Sequence, residues 1–144
     1  MYHVWYTSEV VGRTKPLAQA QGELLAQQEK RVPAIFYRTE AGGEPVRVWL
    51  KGLAREDRKR IGEDIKTVEF GWPIGMPVCR FVGDGVYEVR TNLSQNRIAR
   101  VLFYIDRKSR MVLLHGFVKK TQRTPLQDLD LAASNKRKHQ SGLR

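Results

Sequence analysis

The sequence predicts an α+β domain: an N-terminal strand and two helices packed on one face of a small twisted antiparallel sheet, then a short C-terminal helix. Three observations carry this reading. Apolar residues recur at helical spacing between Pro45 and Phe70. From Val78 onward the period changes to two, the mark of strands. The chain has 144 residues, 41% apolar and 28% charged, which suits one domain with a modest core.

Residues 1–32 read as an N-terminal extension. "MYHVWYTSEV" resembles a short strand, and "PLAQAQGELLAQQEKR" holds good helix formers but only a thin stripe of Leu17, Leu24 and Leu25. Its central Gly22 costs about 1 kcal/mol against alanine. The compact domain is expected over residues 33–133, with a frayed basic tail at 134–144. "AIFYRT" reads as its first strand. "EAGGEPV" is a turn that places Pro45 in the first turn of a helix. Val46, Trp49, Leu50 and Leu53 then fall at i, i+3, i+4 and i+7, one apolar helix face. Ile61, Ile65 and Val68 stripe a second helix, whose acidic start (Glu56, Asp57) suits the helix dipole. "GWPIGMP" breaks it. Two short strands flank Gly83-Asp84-Gly85, a hairpin signal. "NRIARVLFYI" and "MVLLHGFVKK" are longer strands joined by "DRKSR". Thr124 to Gln127 fits a capping box with Pro125 at the first helical position, and Leu126, Leu129 and Ala133 make a short apolar stripe.

Composition excludes several classes. No apolar stretch approaches the roughly 18 residues of a membrane span. The N-terminus lacks a basic start and an unbroken apolar run, so it is a poor secretory signal, and a cytoplasmic location is expected. The single cysteine, Cys79, and three scattered histidines form no zinc pattern, and "GDG" reads as a turn rather than a metal loop. No phosphate loop or HExxH motif is present, so no metal and no small-molecule cofactor are expected. The net charge is +11, with fourteen Lys/Arg against five acids between residues 73 and 144. That excess favours a polyanionic partner.

Strand alternation then sorts the charges. Arg90, Arg97, Arg100, Lys119, Lys120 and Arg123 fall on or just beyond adjacent strands, so several can converge on one sheet surface, though Arg97 and Arg100 fall on opposite faces of their strand. Arginine forks and lysine point charges both bind phosphate. With helices on one face only, the other face must be wet or be a site. Phe103 and Phe117 read as core residues, while Tyr87 and Tyr104 stand between core packing and base stacking. His115 is the only histidine on a strand and lies near Lys119; His3 and His139 lie in the termini.

"FYRTEAGGEPVRVWLKGL", "VYEVRTN", "RIARVLFYI" and above all "LLHGFVKKTQRTP" resemble the phage-derived, HigB-like branch of the RelE/ParE toxin superfamily, from about Pro33 to Ala133. The resemblance implies a RelE-like fold and a type II toxin that enters the ribosomal A site and cuts mRNA without metal. It also implies a helix-turn-helix antitoxin as partner. By position it makes Arg90, Arg100, Lys119 and Lys120 catalytic, with Arg100 on the scissile phosphate, so that Arg100→Ala abolishes activity and leaves the fold intact. Arg97, Arg123, Tyr87, Tyr104 and His115 join them as candidate RNA contacts. Many relatives add a catalytic Tyr or His near the C-terminus; here that segment offers only His139, in the expected frayed tail. Two rival readings stand beside this one: a ParE-like poison of gyrase, and a basic module that binds nucleic acid or ribosome without cutting.

Overall fold

Long β-branched and aromatic alternation after Val78 leaves the chain little choice but a sheet, and the two amphipathic segments before it must bury their stripes somewhere. In the computed structural model, which describes residues 29–142, they bury them against that sheet. The expected strand and nearly all of the helix of the N-terminal extension lie outside the described residues. The elements run β1 (Ala34–Phe36), α1 (Pro45–Lys51), α2 (Arg55–Gly71), β2 (Cys79–Gly83), β3 (Val86–Asn92), β4 (Ile98–Ile105), β5 (Met111–Lys119) and α3 (Leu126–Gly142). They form an α+β fold of three helices on a five-stranded sheet in the order β1-β5-β4-β3-β2.

The sheet is mixed rather than antiparallel throughout. β2 to β5 pair antiparallel, but β1 lies parallel to β5, with Ala34 opposite Met111. Parallel neighbours cannot be joined by a tight hairpin, and here two helices and three strands separate β1 from β5 along the chain.

One face is packed as expected. Val46 and Leu50 of α1 and Ile61, Ile65 and Val68 of α2 cover Val89, Val101, Phe103 and Leu113. Gly116 lets α1 settle closely on β5, because a Cβ there would stand 2.4 Å from the Trp49 ring. In the β2–β3 hairpin Gly83, Asp84 and Gly85 all take positive φ, 102°, 53° and 72°, which explains the glycines on either side of Asp84.

The other face departs from expectation. It is neither wet nor open over its length, because α3 covers part of it, packing Leu129 and Ala132 on Leu102, Tyr104, Val112, Leu114 and Phe117. α3 has 17 residues, so residues 134–142 continue a helix instead of fraying as a tail. Its inward stripe is Asp128, Ala132, Asn135 and His139, at helical spacing but mostly polar, while Leu126 of the expected stripe is 72% exposed. Asn135 Nδ2 donates to the buried Leu114 carbonyl at 3.0 Å. The capping box is not formed either. Thr124 sends its hydroxyl to Glu88, and the helix starts at Leu126, with the Pro125 carbonyl accepting from the Asp128 and Leu129 N–H groups.

A bulge in β5 completes the frame. Leu102 pairs with His115 but Phe103 pairs with Leu113, so Leu114 is the extra residue. Leu114 packs on the α3 side with Val112, and His115 follows it onto that same side.

Candidate functional site

The α3-facing side of the sheet gathers charge where β3, β4 and β5 come together near the start of α3. Register places Arg80 opposite Glu88, Arg90 opposite Arg100, and Arg100 opposite Phe117. Glu88 is the hub. Its carboxylate is fully buried and accepts from Arg80 at 2.9 and 3.2 Å and from the Thr124 hydroxyl at 3.0 Å. Arg100 Nε stands 3.0 Å from its other oxygen.

Arg100 is itself 0% exposed. Its Nη2 donates to the Thr121 carbonyl, so the Lys119–Thr124 segment closes over it, and its Nη1 has no hydrogen-bond partner. Burial lowers its affinity for the proton, with Glu88 pulling the other way and Arg90 and Arg80 reinforcing the loss. The structure thus places the arginine expected on the scissile phosphate underneath the site, not on its surface.

The groups in reach of solvent surround it. Arg90 is half-buried and donates to Gln122 at 3.2 Å. Lys120 and Arg123 are exposed on the segment after β5. Lys119 and His115 converge on one carboxylate: His115 Nε2 lies 2.7 Å from Asp128 Oδ1, and Lys119 Nζ lies 3.5 Å from Oδ2. Phe117 lies among them, stacked on the His115 ring at 5.5 Å, with Lys119 Nζ at 5.7 Å and Arg100 Cζ at 5.9 Å from its centroid. An open cleft of about 600 Å³ adjoins the cluster, lined by Arg80, Gln122, Arg123, Thr124 and Leu129 among others.

Three of the sequence-predicted residues stand apart. Arg97 forms a two-pronged pair with Asp57 of α2, at 2.8 and 3.2 Å. Tyr87 belongs to the α2-covered face, edge-on to Trp72 at 4.8 Å and stacked with Phe103 at 5.7 Å. Tyr104 is on the α3 side but further along β4, buried, with its hydroxyl against His139 Nδ1. Burial pushes the Tyr104 phenol up to about 12, and burial also lowers the His139 imidazole, so this pair is held neutral. His139 is therefore an anchor of α3 under the sheet and does not join the cationic cluster. Cys79 is buried and its thiol is pushed up to about 11, by burial first and Glu88 second, which removes it as a nucleophile near neutral pH.

Sequence reasoning missed Arg80, Thr124 and Asp128 as members of the site, and Glu88 as its centre. Strand alternation does put Glu88 and Arg90 on one face, and that was the available signal. Asp128 carried none, because it joins the site only through α3. Among the described residues no three His, Cys, Asp or Glu side chains group as a metal would require. No helix among them is long and apolar enough to cross a membrane.

The fold is thus a small α+β domain with a cationic cluster between its last strand and its last helix. The sequence profile described as "Phage derived protein Gp49-like (DUF891)" matches residues 48–137, well over half of the chain, and these residues hold every member of the cluster. The chain belongs to this Gp49-like family, a toxin-like, phage-derived family within the RelE/HigB-like toxin superfamily. Comparison with curated proteins gives no match.

Proposed function

We propose that this protein is the toxin of a type II toxin–antitoxin system, of the HigB-like branch and RelE-like layout, and that it inhibits translation as an mRNA endoribonuclease. The observation that carries this reading is the convergence of Arg80, Arg90, Arg100, Lys119, Lys120 and Arg123 around the end of β5, with Glu88 holding Arg80 and Arg100 and Asp128 holding Lys119. Cleavage through the ribose 2′-OH needs in-line positioning and stabilisation of charge on the phosphate, and such cations supply both without a metal or cofactor. Arg90 and Lys120 meet the phosphates flanking the scissile bond, Arg123 steers the incoming strand, and Lys119 acts at the bond itself. Arg100 holds Glu88, and through it Arg80 and Thr124, and so sets the shape of the floor on which these cations stand. Its direct approach to phosphate requires the Thr121 carbonyl to leave. The partners are mRNA in the ribosomal A site and a helix-turn-helix antitoxin, and the compartment is the cytoplasm.

The test is induced expression followed by mapping of mRNA 5′ ends. New ends inside codons, lost in Lys119→Ala with Arg90→Ala, are expected. Intact transcripts with broken DNA would favour a gyrase poison, and salt-sensitive ribosome binding without new ends would favour a non-catalytic module.

A further inference from the structure

We infer that His115 is the general base of this site and that Asp128 positions it. The role rests on the nuclease reading above. Cleavage through the 2′-OH demands that one group take the hydroxyl proton, and the exposed arginines cannot, since guanidinium keeps its proton. Tyr104 and His139 are engaged with each other further along β4.

His115 meets the geometric requirements. The β5 bulge brings it onto the α3 side, and the buried Asp128 carboxylate receives its Nε2–H at 2.7 Å. A carboxylate accepts only, so the neutral ring carries its hydrogen on Nε2 and leaves Nδ1 with its lone pair. Nδ1 has no hydrogen-bond partner among the described residues. Phe117 stacks on the ring and limits its rotation. The side chain keeps 19% of its surface exposed, in contrast to Arg100, which has none. The charged groups next to it are Asp128 from α3 and Lys119 from β5, with Arg100 of β4 on the Phe117 ring that stacks on it. A carboxylate holding one imidazole nitrogen while the other accepts a proton is the arrangement by which triads orient their histidine.

In the step, His115 Nδ1 takes the 2′-OH proton and the 2′ oxygen bonds to phosphorus. The bond from phosphorus to the 5′ oxygen breaks, and that oxygen takes a proton from the Lys119 ammonium. The products are a 2′,3′-cyclic phosphate and a 5′-hydroxyl. Proton exchange with water then restores His115 and Lys119. Lys119 and His115 share the two oxygens of one carboxylate, so base and acid end in the same small region.

The experiment is single-turnover cleavage of a model mRNA on programmed ribosomes by the full chain between pH 5.5 and 9. H115Q is expected to lose about 100-fold in rate and the ascending limb of the pH profile. D128N is expected to keep measurable activity with that limb displaced, and added imidazole to restore part of the activity of H115A. An RNA with a 2′-deoxy sugar at the scissile position is expected to stay intact. A folded H115Q with wild-type rate and pH profile would overturn the role of His115 while leaving the nuclease reading in place. If glutamine at 115 disturbs folding, an undisplaced limb in D128N overturns it instead. RNA left uncut by the wild type overturns both.

Discussion

At the residue scale, the Glu88–Arg100 pair decides how the site's arginines must be read. Both side chains are fully buried, so each neutralises a charge that has no water around it. Removing one partner of such a pair costs about 3–5 kcal/mol, because the other is left uncompensated. Arg80, at 2.9 Å, softens the loss at Glu88 but is itself partly exposed. Arg100→Ala is therefore expected to lose several kcal/mol in urea denaturation, which revises the sequence-based expectation of an intact fold. Loss of activity in that variant alone would not separate catalysis from unfolding. The double change Glu88→Gln with Arg100→Gln is expected to cost less than the two single changes summed, since together they leave no fully buried lone charge. Strict additivity would show that the pair does not act as a unit. Exposed Lys120 and Arg123 have no such structural duty. Their alanine variants are expected to stay within about 0.5 kcal/mol of wild type while losing cleavage.

At the element scale, the apolar stripes of α1 and α2 and the alternation of β3 to β5 were legible because burial repeats at the helical and strand periods. The start of α3 was legible too, but its length and inward face were not, since that face is Asp128, Ala132, Asn135 and His139, and a polar stripe looks like a solvated tail. The bulge at Leu114 was also hidden, because register is set by pairing across strands and not by either strand alone. Gly116 gave no sign of its role, yet it is the seat for Trp49. Gly116→Ala is expected to lower stability by about 1–3 kcal/mol in thermal or urea unfolding, because the ring must move. The junction of α2 with β1 carries a pH prediction. The Glu69 carbonyl accepts from Arg31 and Val32, and its buried carboxylate accepts from Ala34 N–H at 2.7 Å with Lys30 at 3.0 Å. Burial pushes this carboxyl up to about 7 from 4.5, against the pull of the Ala34 N–H. A pKa raised on folding means that the folded state binds the proton more tightly. The resulting stability is complete below the unfolded value of 4.5 and is lost as pH rises through about 7. Relative to Glu69→Gln, the wild type is expected to lose up to about 3 kcal/mol between pH 4.5 and 8, read from urea midpoints. Parallel curves for the two proteins would contradict it.

At the scale of the whole molecule, a net charge of +11 says that a polyanion is welcome but not where. The fold supplies the location. Arg97 lies close in sequence to Arg100, yet its guanidinium closes on Asp57 of α2, while Arg90, Lys120 and Arg123 gather near the start of α3. Alternation along β4 could place Arg97 and Arg100 on opposite faces, but it could not show that α2 offers Asp57 as a partner. Counterion release turns this difference into a measurement. Each cation that neutralises a phosphate of single-stranded RNA contributes about 0.7 to the slope of log affinity against log salt. Binding of a short single-stranded RNA to the full chain, titrated across salt, is therefore expected to show slopes shallower by about 0.7 in each of Arg90→Ala, Lys120→Ala and Arg123→Ala. Arg97→Ala removes the same formal charge from the molecule and is expected to keep the wild-type slope, because that charge is already spent on Asp57. Equal losses of slope in all four variants would mean that RNA responds to net charge alone, and the claim of one localised phosphate-binding surface would fall.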